Sequence, residues 1–173
     1  MQYSERYLAF MGMAPKRIPH FEYLGCPDAE TFITGIDHYE HPRACRQKLA
    51  EMYPMLNAYI PETDDPKPRP NLQNELTGTN EFACGAQGVL HEPYTNARAI
   101  ARKHENCFLA GEGDTRILSR NNPGEIRAMV GRMIETAQIT GGYFMRIGNE
   151  FTWNTPPEAV KLYLDTCRDL AHR

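Results

Sequence analysis

The 173-residue chain lacks several features that would mark out a narrow class. Its formal net charge is −3, so it has no basic excess of the kind a nucleic-acid surface needs. No apolar run approaches the roughly 18 residues of a membrane span. The opening MQYSERYLAF lacks the basic-then-apolar order of a secretory leader, so a cytoplasmic protein is the expectation. The five cysteines (Cys26, Cys45, Cys84, Cys107 and Cys167) include no C-x-x-C pair and have no histidine spaced to make a zinc finger. An odd number without a leader also argues against a disulfide framework. Most of these thiols are expected to be small buried groups, and no metal-ligand set is assigned.

What remains is an ordinary globular composition, 41% apolar and 24% charged, long enough for one domain with a core and short for two. The second half carries the clearest pattern. In NNPGEIRAMVGRMIETAQ, Asn122 reads as a helix cap, Pro123 as the first helical residue and Glu125 as the partner closing a capping box. Ile126, Met129, Val130, Met133, Ile134 and Ala137 then recur on one face. TPPEAVKLYLDTCRDLAHR repeats this grammar: Thr155 caps, Pro156 starts and Glu158 closes the box. Val160, Tyr163, Leu164, Cys167 and Leu170 form its stripe.

Each of these helices follows a run suited to a buried strand, CFLAGEGDTR and GGYFMRIG, and a further helix is expected over about 94–104. Helix alternating with strand predicts crossover units on a parallel sheet, an α/β fold. The first half is similar but less regular. SERYLAFMG predicts a short helix capped by Ser4, RIPHFEYLG a strand, and CPDAETFITGI a short helix from Asp28. HPRACRQKLAEMY predicts a longer helix stopped by Pro54, and LNAYIPE a strand. From 63 to 91 the pattern breaks into a proline-rich loop and a glycine-punctuated segment read as a hairpin.

These segments resemble the uroporphyrinogen decarboxylase superfamily, which also contains methyltransferases that move methyl groups between corrinoid proteins and thiols. SERYLAFMGMAPKRIPHFEYLG is similar to the family's opening helix and K-R-x-P strand. FLAGEGDTRILSRNNPGEIRAMVGRMIE resembles its penultimate strand–helix unit, with G-x-x-D after the strand. GGYFMRIGNEFTWNTPPEAVKLYLD resembles its last, with G-G-Y and T-P-x-E. The resemblance covers about 1–65 and 92–173. It implies a (β/α)8 TIM-type barrel, which needs about 250 residues. Units matching strands 1–2 and 7–8 are present and the middle is not, so the expectation is half a barrel as a single domain over 1–173, with 63–91 as the junction. In a closed barrel strand 8 lies beside strand 1, so 7-8-1-2 is one contiguous half. Two copies pairing edge to edge would complete it as a homodimer. The rival reading is a truncated remnant that packs compactly on its own.

Barrel enzymes work at the C-terminal strand ends. Those ends carry Glu22 with Cys26 beyond it, Glu62, Glu112 with Asp114 and Arg116, and Asn149 with Glu150. Carboxylates at one mouth suit proton transfer or metal binding, or they cap the helices that follow. Through the resemblance, Asp114 (the D of G-x-x-D) and Glu150 are the candidate catalytic groups. Glu22, Glu62, Arg116 and Asn149 are the candidate substrate contacts. Asn149 stands where the decarboxylases have His and the thiol methyltransferases have a zinc-binding Cys. The arginine-rich stretch that holds a polycarboxylate is replaced by FEYLGCPDA. The functions implied are decarboxylation of a small carboxylated molecule, or work on a methylated one in corrinoid-linked methyl transfer with a corrinoid as partner or substrate. The alternatives are a non-catalytic half-barrel that binds a ligand or partner, or an inactive internal-deletion remnant.

Overall fold

The computed structural model describes residues 4–22, 24–54, 56–57, 59–67, 102, 108–148 and 151–172. The expected helix at 94–104, apart from Arg102, and the expected hairpin lie outside these residues, as do Asn149 and Glu150.

The described chain is a mixed α/β structure on a four-stranded sheet of order β2-β1-β4-β3. The strands are β1 (His20–Phe21), β2 (Leu56–Asn57), β3 (Phe108–Gly113) and β4 (Gly142–Ile147), and every pairing is parallel. That parallel order is consistent with a partial TIM-type fold. The helices are α1 (Glu5–Phe10), α2 (Pro27–Thr34), α3 (Pro42–Met52), α4 (Thr115–Ser119), α5 (Pro123–Ala137) and α6 (Pro157–Leu170).

The two halves of the sheet are built differently. β3 and β4 pair over six residues, from Phe108 opposite Gly142 to Gly113 opposite Ile147. β1 meets β4 through His20 opposite Met145, with one further parallel bridge from Leu24 to Phe151. The long strand expected at RIPHFEYLG is therefore short, and the reason is local. The Ile147 N–H, which a carbonyl of β1 would otherwise accept, donates instead to the Glu22 carboxylate at 2.8 Å. A side chain has replaced a rung of the ladder.

Strand alternation separates the faces of β4. Tyr143, Met145 and Ile147 are fully buried in the core with Ile126, Met129, Met133 and Leu164 from the helices. Phe144 and Arg146 are half-buried on the opposite face. α1 lies at the N-terminal end of the strands, where Arg6 donates to the Leu56 carbonyl and the Ala14 N–H to that of Gly141. Gly141 has no alternative there: a Cβ would sit 2.0 Å from the Gly12 carbonyl oxygen.

The helix caps are partly as read. Ser4 accepts from the Tyr7 N–H, and Asn122 from those of Gly124 and Glu125. Two details differ. Glu125 turns away from the cap to pair with Arg120 at 2.5 Å, because a nearby guanidinium outcompetes a lone backbone donor. α6 begins one residue later than expected, with Pro156 at its cap and no side-chain cap. Thr155 is buried instead, its hydroxyl 3.3 Å from that of Thr152. Leu170, assigned to the buried stripe, is 45% exposed, and Ala171 is buried in its place. Cys26, Cys45 and Cys167 are buried free thiols.

Candidate functional site at the strand ends

The C-terminal ends of β3 and β4 are joined by the Gly148 N–H donating to the Gly113 carbonyl at 2.8 Å. Asp114 leaves β3 in extended conformation and caps α4, accepting from the Arg116 N–H at 2.9 Å. The Arg116 guanidinium then folds back on the same carboxylate, Nε at 3.0 Å from Oδ1 and Nη2 at 3.0 Å from Oδ2. Partial burial pushes the Asp114 carboxyl up, but these bonds and the cationic charge outweigh it and hold it below the usual carboxylate range. Asp114 is thus ionised and buried, while the Arg116 side chain is 63% exposed.

Glu112, two residues earlier, is the odd member of β3. It has a positive φ of 73° and follows Gly111 at 135°, so the strand's alternation fails there. Its carboxylate turns toward the helix layer, accepting from the Thr136 hydroxyl at 3.0 Å and the Tyr143 hydroxyl at 2.8 Å. Burial, reinforced by the Glu112 charge, raises the Tyr143 phenol well above its ordinary value, so it stays a donor.

Glu22 lies on the helix side of β1 and is 4% exposed. Its Oε1 gathers three groups: the Ile147 N–H at 2.8 Å, the Tyr163 hydroxyl at 2.7 Å and His20 Nε2 at 3.0 Å. Burial raises the Tyr163 phenol, with the neighbouring Cys167 and Glu22 adding to the effect, and Cys167 is raised by burial and by Glu22. Both keep their protons. The Glu22 carboxylate therefore ties β1, β4 and α6 together beneath the strand ends.

Glu62 lies beyond β2 on an exposed stretch, where its carbonyl accepts from the Arg43 guanidinium. The neighbouring Asp64 does the local structural work, accepting from the Arg43 and Ala44 N–H groups at the start of α3. Of the six site residues read from the sequence, Asp114 and Arg116 come into direct contact. Glu22 supports the strand ends from behind, Glu62 stands apart, and Asn149 and Glu150 lie outside the described residues.

One pair was missed in the sequence. Arg146 sits on the sheet face turned away from the buried core, its guanidinium carbon 5.5 Å from the Phe21 ring centroid, a cation–π arrangement. A lone arginine inside the apolar run GYFMRI, out of phase with the buried positions, was the available signal. It places a cation one register pair from the strand ends, opposite Glu112.

Among the described residues no helix is long and apolar enough to cross a membrane. No curated protein and no solved structure matches the chain. A family model for uroporphyrinogen decarboxylase (URO-D) matches residues 72–170, starting inside the segment read as the junction and running through β3, α5, β4 and α6. That match spans more than half of the 173 residues, and its strand–helix units are those that carry Asp114, Arg116 and Arg146: the chain belongs to the uroporphyrinogen decarboxylase family.

Proposed function

We propose that this chain is half of a (β/α)8 barrel, completed by a second copy, and that the assembly acts on a small carboxylated molecule at the C-terminal ends of the strands as a decarboxylase-like lyase. The observation that carries this reading is the parallel order β2-β1-β4-β3, which among the described residues leaves β2 and β3 at the two edges. In a ring of eight parallel strands, β2 of one copy would pair with β3 of the other, twice, about a two-fold axis along the barrel. Both copies would then contribute to one mouth.

In that mouth Asp114 and Glu150 are the candidates for proton transfer, and Asn149 for a hydrogen bond to substrate. Arg146 and Arg116 supply cations for a substrate carboxylate, which the stretch after β1 lacks. Corrinoid-linked methyl transfer fits less well, because the thiol-activating zinc of those relatives would require a cysteine where Asn149 stands. A cytoplasmic location accords with this reading.

The test is the solution mass by light scattering across a concentration series. The expected species has twice the chain mass of 19.8 kDa, and a folded monomer at all concentrations overturns the completed barrel. Calorimetric titration with small di- and tricarboxylates, and with a cobalamin, then separates the ligand classes. Carboxylate binding that survives Asp114→Asn while turnover is lost supports the lyase. Binding without turnover in the unmodified chain replaces it with a ligand-binding half-barrel.

A further inference from the structure

A second buried polar cluster lies in the α2–α3 layer, away from Asp114 and Arg116. It draws one residue from each of three segments: Glu30 from α2, His38 from the connecting loop and Cys45 from the first turn of α3. They are 2%, 5% and 0% exposed. One ligand atom from each lies within 4.8 Å of the others.

The bonding inside the cluster is lopsided. Glu30 Oε2 lies 2.9 Å from His38 Nδ1 in a hydrogen bond and, as an ion pair, 2.5 Å from Arg46 Nε, which itself makes no hydrogen bond. Glu30 Oε1 is buried with no hydrogen-bond partner. A buried carboxylate oxygen without a donor is costly, and native structures rarely leave one unanswered. The Cys45 thiol lies 3.3 Å from the Thr34 hydroxyl, which is itself engaged with the Glu30 carbonyl at 2.7 Å.

We propose that Glu30, His38 and Cys45 bind a single divalent cation of the zinc class, with Arg46 balancing the remaining carboxylate oxygen. The donor set is carboxylate, imidazole and thiol, and the thiol selects a soft or borderline ion over calcium or magnesium. A tetrahedral zinc site places such ligand atoms roughly 3.3–3.6 Å apart, so the cluster needs to close by about 1 Å through side-chain rotation. The ion would take Glu30 Oε1 and the His38 imidazole, which gives up its bond to Oε2, while Arg46 keeps Oε2 oriented, as a carboxylate's outer partners do in metal sites. Three protein ligands leave the fourth position to water. Charge is acceptable: a thiolate and a carboxylate neutralise the ion, and Arg46 is the member nearest solvent, its side chain 15% exposed.

The rival account is an ion triad of Glu30, His38 and Arg46 in which Cys45 merely packs. It leaves Oε1 without a role.

Cobalt(II) titration of the whole chain distinguishes the two. Expected is a thiolate-to-cobalt charge-transfer band that saturates at about one ion per chain and is displaced by zinc. Cys45→Ser should abolish the band and Cys26→Ser should retain it. Glu30→Gln should weaken cobalt affinity at least about 100-fold, since even outer partners are worth 10–100-fold. No band, or a band unaffected by Cys45→Ser, overturns the site. Should Cys45→Ser or Glu30→Gln fail to fold, the unmodified chain still decides. Zinc in excess should raise its melting temperature and a chelator should reverse the rise; no rise overturns the proposal. Neither outcome depends on dimerisation or on turnover at the strand ends.

Discussion

The two halves of this chain reach the same parallel sheet by different chemistry. From β3 to α6 the structure is held by apolar burial: a six-pair ladder, then α5 and α6 packing Met129, Met133, Tyr163 and Leu164 against the inner face of β4. From α1 to β2 the strands are two residues each, and buried polar groups supply much of the connection. Glu22 replaces a rung between β1 and β4, and Glu30 gathers His38 and Arg46 between α2 and α3. Hydrophobic burial is nondirectional and tolerates repacking. A buried charge is stable only with its partners in place. The N-terminal half should therefore be the more brittle under single substitutions.

The largest effect should come from Glu22→Ala. It leaves the Ile147 N–H, the Tyr163 hydroxyl and His20 buried without their shared acceptor, and at about 1–3 kcal/mol for each orphaned group the loss should reach about 4 kcal/mol. Urea denaturation should show the loss, and Glu22→Gln, which keeps an acceptor, should recover a good part of it. The matching test in the other half is Met133→Ala. Met133 is fully buried, and its truncation should cost about 3 kcal/mol through transfer and cavity terms. A larger loss for Met133→Ala than for Glu22→Ala would break the comparison.

A milder probe separates a true cap from an apparent one. Asn122→Ala should lose about 1 kcal/mol, because the side chain satisfies two orphan N–H groups at the start of α5. At α6 the equivalent threonine makes no cap bond, so any loss in Thr155→Ala reflects its burial and not helix capping. Circular dichroism melts of both variants check this, and equal helix fraying in both would contradict it.

This difference also sets what was legible in the sequence. Periodicity and cap residues located α5, α6, β3 and β4 closely, because those elements bury apolar side chains at regular spacing. The same reasoning placed β1 and β2 but overestimated the length of both, and for β1 the cause is a carboxylate ending the ladder, which leaves no periodic trace. Asp114 and Arg116 were readable as polar neighbours just after a strand, and their mutual contact follows from a spacing of two. Glu22 was legible as a residue at a strand end, but not as the hub under α6, because Tyr163 is 141 positions away. Glu30, His38 and Cys45 carry no motif spacing; the turn at Gly35, in the left-handed region with φ 72°, brings them together.

The smallest expected effect concerns pH. The folded pKa of Asp114 is depressed, so its contribution to stability is present above the unfolded value of about 3.9 and is lost as pH falls through the lower folded value. Its partner Arg116 is mostly exposed, and solvent screening limits the pair to less than about 1 kcal/mol. Midpoints of urea unfolding between pH 6 and pH 3, compared for the unmodified chain and Asp114→Asn, should converge as the pH drops, with the gap already narrowed by high salt at pH 6. A gap that stays constant with pH would show that the loss in Asp114→Asn comes from the cap hydrogen bond to the Arg116 N–H and not from charge. The carboxylate would then be free of an electrostatic structural duty, which strengthens its assignment to proton transfer at the strand ends.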